Sequence, residues 1–221
     1  MARLPRPFEP GMPLHMLQRG NDREPCFRGA EDFASYLHWL DEYSRHLGCA
    51  LHAYVLMTNH VHLLLTPSDT RGPSALMQCI GRKYVARYNR KYSRTGTLWE
   101  GRFKANPVKD ERYLLTVYRY IELNPVRARM VDEPGKYRWS SYGHNALGLA
   151  DGRIRPHETF VALGMNGESR REAYRALINE ALDVTTLESI RACIASGLPL
   201  GEREETGGRE CYDSDPGLTP F

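Results

Sequence analysis

The residues best able to do chemistry fall in two short runs, His60-Val61-His62 and Tyr120 to Asn124. Alternation along a strand sends both imidazoles to one face and Val61, Leu63 and Leu65 to the other. Two histidines so placed can grip one divalent metal, or simply hydrogen-bond or face solvent on an ordinary strand. The spacing alone does not decide, because a chain with 8 histidines in 221 residues meets a His-x-His pair by chance often enough. The second run belongs to a helix expected to start at Asp110, whose carboxylate can cap it, and to end at about Asn124, since Pro125 disfavours helical geometry before it. Its core stripe is Leu114, Val117, Tyr118 and Ile121, while Thr116, Tyr120 and Asn124 follow at four-residue steps on a different line. Tyr120 is there either a nucleophile or a packing aromatic, and Asn124 either an oxygen ligand for a metal or a helix terminator.

Both runs need a scaffold, and the pattern around them supplies one. Residues 12–18 read as a strand stopped by the turn-like Arg19-Gly20-Asn21-Asp22. Phe33, Tyr36, Leu37, Leu40, Tyr43 and Leu47 recur at helical spacing, with Gly48 where a helix ends. Residues 50–57 and 61–66, joined by Thr58-Asn59, predict an antiparallel hairpin. A second helix is expected over 74–92, a strand over 102–105 near an edge because of Pro107, and then the helix of Tyr120. This order predicts an α+β fold, one antiparallel sheet covered by helices. Residues 170–182 and 187–194 predict two further short helices, and Gly201 to Phe221 reads as a polar tail with the composition of disorder. The expected division is a catalytic domain over 1–147 and a mostly helical C-terminal extension over 148–221.

Charge points to a partner. The net +3 conceals a basic middle: residues 71–130 carry 14 Lys/Arg against 4 Asp/Glu, whereas 1–70 and 131–221 are both net acidic. Such a concentration favours a polyanion through phosphate contacts, or is a solvated basic face. Arg82, Lys83, Arg87, Arg90 and Lys91, interleaved with Tyr84, Tyr88 and Tyr92, can track phosphates and stack bases, or can be solvated charges over core tyrosines. Arg102, Lys104 and Arg127 are further phosphate candidates. Five widely spaced cysteines without a C-x-x-C pair suggest neither a disulfide framework nor a zinc knuckle. No apolar run reaches the roughly eighteen residues of a membrane span and the N-terminus has no signal-peptide stretch, so the expectation is a cytoplasmic protein without membrane contact.

Several blocks together closely resemble the single-tyrosine HUH transposases, in particular the REP-associated tyrosine transposases. They are the run from Leu51 through Met57-Thr58-Asn59-His60-Val61-His62 to Leu65, the run Gly96-Thr97-Leu98-Trp99-Glu100-Gly101-Arg102-Phe103-Lys104, and the run from Tyr113 through Tyr120-Ile121-Glu122-Leu123-Asn124-Pro125-Val126-Arg127 to Ala128. The resemblance extends over about residues 12–147, including Trp139-Ser140-Ser141-Tyr142, and fades beyond. Thr58 stands where a proline is common, and Arg129 where a glycine often follows the helix. The resemblance implies a ferredoxin-like sheet with the His-x-His strand inside it, single-stranded DNA bearing hairpins as substrate, His60 and His62 as metal ligands, Tyr120 as nucleophile and Asn124 as third ligand. Minimal relatives act as dimers and REP-associated ones as monomers, so either a monomer or a homodimer fits.

The chemistry follows from the residue types. A tyrosine of pKa about 10 is a poor nucleophile at neutral pH, so a cation must polarise the phosphate that it attacks. The products are a 5′-phosphotyrosine and a free 3′-OH, and the phosphotyrosine bond keeps enough energy for resealing without ATP. Neither G-x-x-x-x-G-K-[ST] nor G-x-G-x-x-G occurs, in keeping with that. Two imidazoles and an amide oxygen suit Mn²⁺ or Mg²⁺, with Zn²⁺ a third choice. Glu100 is an accessory ligand or proton acceptor, or else a partner for an arginine. His15, Gln18 and His52 either orient the ligands or belong to the core. The competing function is a hairpin-binding regulator of DNA or RNA that has lost catalysis.

Overall fold

A computed structural model describes residues 8–200; the tail expected to be disordered lies outside them. Strand β1 (Leu14–Arg19) leads to helix α1 (Ala30–His46), the hairpin β2 (Cys49–Leu56) and β3 (His60–Pro67), helix α2 (Gly72–Lys91) and strand β4 (Lys104–Pro107). The strand order is β2-β3-β1-β4 and every pair is antiparallel. Two β-α-β halves interleaved in this order make the ferredoxin-like sheet. The expected edge strand near Pro107 is found two residues later than its sequence pattern suggested, with Pro107 closing it, where a missing N–H costs no ladder bond. Gly48 ends α1 at φ +59°, and a Cβ there would meet the Ser68 side chain, so the turn into β2 needs glycine.

Each face of the sheet builds its own core. Leu14, Met16, Val61, Leu63 and Leu65 pack with Tyr36, Leu37 and Leu40 of α1 and Leu76, Ile80, Tyr84 and Tyr88 of α2. Ala53, Val55 and Leu64, on the other face, pack with Leu114, Val117, Tyr118 and Ile121 of helix α3 (Glu111–Glu122). Burying each such aliphatic side chain contributes about 1.5–3 kcal/mol. Asp110 caps α3 as expected, accepting from the Arg112 N–H at 2.8 Å. The helix stops at Glu122, two residues short of the expected end, because Pro125 has no N–H to give to the Ile121 carbonyl. Asn124 instead opens the short helix α4 (Asn124–Arg127).

Beyond it come α5 (Tyr142–Leu147), α6 (Glu158–Val161), α7 (Gly167–Asn179) and α8 (Val184–Ser196). Two of these were expected, α7 beginning three residues earlier than its apolar pattern; α5 and α6 are too short to show a period. Their side chains Phe160, Tyr174, Ile178 and Ile190 share one core with α3. The same segments close both sheet edges. The Leu56 N–H donates to Trp139 O at 2.9 Å and the Arg155 N–H to Leu51 O at 2.7 Å beside β2, while the Leu200 N–H donates to Pro107 O at 2.9 Å beside β4. Unpaired edges that would invite aggregation are thereby occupied. Among the described residues no helix is long and apolar enough to cross a membrane, and Cys26, Cys49, Cys79 and Cys193 are free thiols.

Helices α1 and α2 are clamped at Asp32, a buried carboxylate in the first turn of α1. It accepts from the Arg28 and Gly29 N–H groups at 2.9 and 3.0 Å, from Lys91 Nζ at 2.9 Å and from the Tyr92 hydroxyl at 2.7 Å. Burial pushes its pKa up, but the bonds from Lys91, Tyr92 and Arg28 outweigh burial and hold it below the usual value. A lowered carboxyl pKa stabilises the fold above the unfolded-state pKa, and that stability is lost as pH falls through the folded value. Asp32→Asn is therefore expected to cost about 1–3 kcal/mol at neutral pH and to flatten the acid limb of the stability profile, read by urea melts from neutral pH down to below the ordinary aspartate pKa. An unchanged acid limb would remove Asp32 as its source.

Candidate active site

Register places the candidate residues on one face of the sheet. Arg19 is opposite His60, Leu17 opposite His62 and His15 opposite Leu64, and directly opposed residues share a face. Tyr120 projects from α3 over the same face. Its ring lies 5.6 Å from His62 and 5.7 Å from His15, edge-on to both, and His60 lies 5.2 Å from His62. The phenol makes no hydrogen bond among the described residues. Two runs sixty residues apart thus meet where β3 passes under the last turn of α3.

Hydrogen bonds decide which imidazole nitrogens are free. His60 Nδ1 is 2.7 Å from Asn59 Oδ1, an acceptor, so Nδ1 carries the proton and Nε2 keeps its lone pair. His62 Nδ1 is 2.9 Å from His15 Nε2, and the rings stack at 5.1 Å. When His62 donates in that bond its Nε2 is likewise free, and His15 is the group that orients the His62 ring from behind. Burial lowers His15 to about 3 and His60 to about 4, and it lowers His62 well below the usual histidine value, with the nearby His15, His60, Arg127 and Arg19 adding to the effect. All three are neutral at physiological pH, the state in which imidazole binds a metal. Asn124 is half-buried at the start of α4, its amide making no hydrogen bond among the described residues. Two neutral imidazoles and a free amide oxygen are a donor set that fits Mn²⁺ or Mg²⁺. Among the described residues no group of three or more His, Cys, Asp or Glu side chains is arranged to hold a metal.

Other sequence candidates are placed elsewhere. Gln18 lies opposite Val61, on the face turned to α1 and α2, with Oε1 buried and unpartnered. His52 sits at a register shift in β2 and bonds Arg155 O at 2.5 Å and Thr66 Oγ1 at 2.8 Å, so it belongs to the core. Helix α2 packs on the far face from Tyr120, as its share of that core requires. There Lys91 pairs with Asp32 and Glu31, and Arg87 with Glu31 at 3.7 Å, while Arg82, Lys83 and Arg90 are exposed. Tyr84 and Tyr88 are buried and give their hydroxyls to Cys26 O and Pro25 O, which leaves neither ring for base stacking. Lys104 is exposed on the face of the histidines, opposite Leu17. Arg102 is exposed in the loop before β4, and exposed Glu100 donates its N–H to Arg19 O at 2.9 Å, which sets it beside the end of β1 that carries Arg19. Arg127, from α4, lies directly over Tyr120.

One group escaped the sequence reading. Glu122, fully buried at the end of α3, accepts from Ser141 Oγ at 2.5 Å, Asn145 Nδ2 at 2.8 Å and the Tyr174 hydroxyl at 2.7 Å. Burial raises its pKa to about 7 against the pull of those donors. A carboxylate four residues after the core residue Tyr118 was the available signal. The network ties α3, the helix of Tyr120, to α5 and α7. Tyr174→Phe, which leaves one carboxylate oxygen unpaired, is expected to cost about 1–3 kcal/mol, and Phe160→Ala about 3–5 kcal/mol, in denaturant melts. If both variants melt like the parent, the C-terminal helices do not support α3.

The comparisons with known proteins agree with the fold. A family model described as "Transposase IS200 like" matches residues 10–124. The solved structure of a REP-associated tyrosine transposase bound to a REP hairpin aligns with a TM-score of 0.53 at 16% identity, over 72% of this chain and 93% of that one. A protein of Deinococcus radiodurans R1 described as a transposase aligns at 20% identity and a TM-score of 0.39, over 55% and 96% of the two chains. A bacterial tRNA(His) guanylyltransferase-like protein in complex with GTP aligns at 9% and 0.42, over 61% and 70%. The last two likenesses carry no argument. No curated protein matches the sequence.

Proposed function

Since the chain belongs to the IS200-like transposase family, we propose that it nicks and rejoins single-stranded DNA at hairpin-bearing sites, with Tyr120 as nucleophile. The observation that carries this reading is the meeting of Tyr120, His60 and His62 on one face, with ring separations of 5.2–5.6 Å. The 16%-identical relative bound to a REP hairpin supports a folded single strand as the ligand. Lys104 and Arg127, on the side of the sheet that carries the histidines, are the phosphate contacts nearest the proposed cut; Arg82, Lys83, Arg87, Arg90 and Lys91 would meet DNA only if it wrapped to the opposite side.

His60 Nε2, His62 Nε2 and the Asn124 amide oxygen are the atoms that would hold a Mn²⁺ or Mg²⁺. When bound, such an ion polarises the phosphate and offsets the negative charge that builds up during attack. Asn59 and His15 hold the two rings in orientation through their Nδ1 atoms. The hydroxyl of Tyr120 attacks phosphorus, the bond from phosphorus to the 3′ oxygen breaks, the phenolic proton leaves to solvent and the 3′ oxygen gains one to become a free hydroxyl. Attack by another strand's 3′-OH on the phosphotyrosine reverses these steps and restores the phenol. The count of phosphodiester bonds is conserved, so no nucleotide is consumed.

The test is covalent capture. Hairpin-bearing single strands from beside the gene, incubated with the protein and Mn²⁺ or Mg²⁺, are expected to give a slow-migrating species on a denaturing gel that chelator prevents. Tight hairpin binding without an adduct on any strand would overturn the nuclease and leave a DNA- or RNA-binding regulator.

A further inference from the structure

Resting on the reading of Tyr120 as nucleophile, we propose that Arg127 is a further catalytic residue, which grips the non-bridging oxygens of the scissile phosphate directly beside that nucleophile. Its place follows from the chain's course. Pro125 ends α3, α4 turns the chain back, and Arg127, bonded through its N–H to Leu123 O at 3.0 Å, reaches back over the preceding turn. Its guanidinium carbon stands 4.4 Å from the centroid of the Tyr120 ring, and one amino group donates to the Tyr120 carbonyl.

The other terminal nitrogen, Nη1, is buried with no hydrogen-bond partner. No Asp or Glu forms an ion pair with Arg127 among the described residues. The ionisable neighbours that act on it are Tyr120 and a second cation, Arg191 of α8, and it in turn acts on His62. Burial lowers its pKa only to about 10, so it stays charged. A half-buried cation whose Nη1 is shut off from water, with no counterion, is costly unless something anionic completes it. The planar fork of arginine matches a phosphate bidentately, and the guanidinium lies over the Tyr120 ring and close enough to His62 to act on it. Cation–π contact with the Tyr120 ring positions the fork before DNA arrives. Arg127 thus supplies positive charge on the ring side of the phosphate, whereas the imidazoles supply their donor atoms from the sheet below.

The experiment pairs Arg127→Met and Arg127→Lys with hairpin substrates in which single phosphates are replaced, one at a time, by neutral methylphosphonate. Arg127→Met is expected to slow single-turnover adduct formation by about 10²–10³-fold while hairpin affinity changes by less than about threefold and the thermal midpoint is retained. Arg127→Lys should recover part of the rate. In binding, one methylphosphonate position should weaken the parent protein and leave Arg127→Met unaffected, the non-additivity expected of two groups in contact. Adduct formation by Arg127→Met within threefold of the parent, or an equal methylphosphonate penalty in both proteins, would overturn the proposal. A parent that forms no adduct refutes the nuclease reading instead, and the binding cycle then decides whether Arg127 holds a phosphate.

Discussion

Tyr120→Phe is expected to abolish the covalent DNA adduct, a loss of at least about 10³-fold in single-turnover nicking, with almost no effect on the fold. The two halves of this expectation have separate causes. The ring is buried against His15, His62 and the Arg127 guanidinium, and phenylalanine keeps all of those contacts. The hydroxyl makes no hydrogen bond among the described residues, so removing it strands no partner, and the stability change should stay within about 0.5 kcal/mol. Tyr118→Phe, two residues earlier, is the internal control. Its hydroxyl faces the C-terminal helices and accepts from the His157 N–H at 3.4 Å, so this variant should retain nicking. Tyr174→Phe shows the opposite pattern again, since its hydroxyl is committed to Glu122. Denaturing gels and thermal melts on the three variants separate the roles. Adduct formation by Tyr120→Phe would move the nucleophile elsewhere.

What the sequence revealed was local. Strand alternation sends His60 and His62 to the same face whatever surrounds them, and the stripe Leu114, Val117, Tyr118, Ile121 dictates which side of α3 packs down. The order of elements, with Pro107 at an edge, was enough for an antiparallel sheet covered by helices, while its ferredoxin-like strand order was implied only by the resemblance. The resemblance paired Tyr120 with the histidines, and the register of β1, β3 and α3 realises that pairing. The helix end was legible only in part: Pro125 announced a break, but its removal of the bond to Ile121 ends α3 two residues early and moves Asn124 onto α4.

Long-range partners were not legible, for a physical reason. An apolar stripe requires cover without specifying it, so nothing in residues 148–200 said that Phe160, Tyr174 and Ile190 would lie on α3. Charge is equally silent about faces. The basic residues of α2 dominate the middle of the chain, yet their helix packs on the far side of the sheet from Tyr120 and two of them are paired with acids of α1. Arg127 contributes one charge to the same count, and its significance comes from its place over the Tyr120 ring and from the absence of a counterion among the described residues, which only the folded chain shows. The same holds for His15, whose bond to His62 follows from strands β1 and β3 being neighbours.

That bond sets up the second large effect, on metal binding. His60→Ala and His62→Ala are each expected to lower nicking by at least about 10²-fold and to remove the thermal stabilisation that Mn²⁺ gives the parent protein, which at a hundredfold excess over the dissociation constant amounts to about 2.7 kcal/mol. Their metal-free stabilities should differ. His60 is half-buried and its Nδ1 partner is the adjacent Asn59 side chain, so its removal costs little. His62 is buried, and its removal leaves His15 Nε2 without a partner, a penalty of about 1–3 kcal/mol. His15→Phe keeps the ring volume and removes only the group behind His62. It should weaken Mn²⁺ binding by about 10–100-fold while both proposed imidazole ligands remain. Thermal shifts with and without Mn²⁺ read all three variants without any DNA. Undiminished shifts in His60→Ala and His62→Ala would place the metal elsewhere; a shift lost in His62→Ala and intact in His15→Phe would keep the ligand and discard the tether.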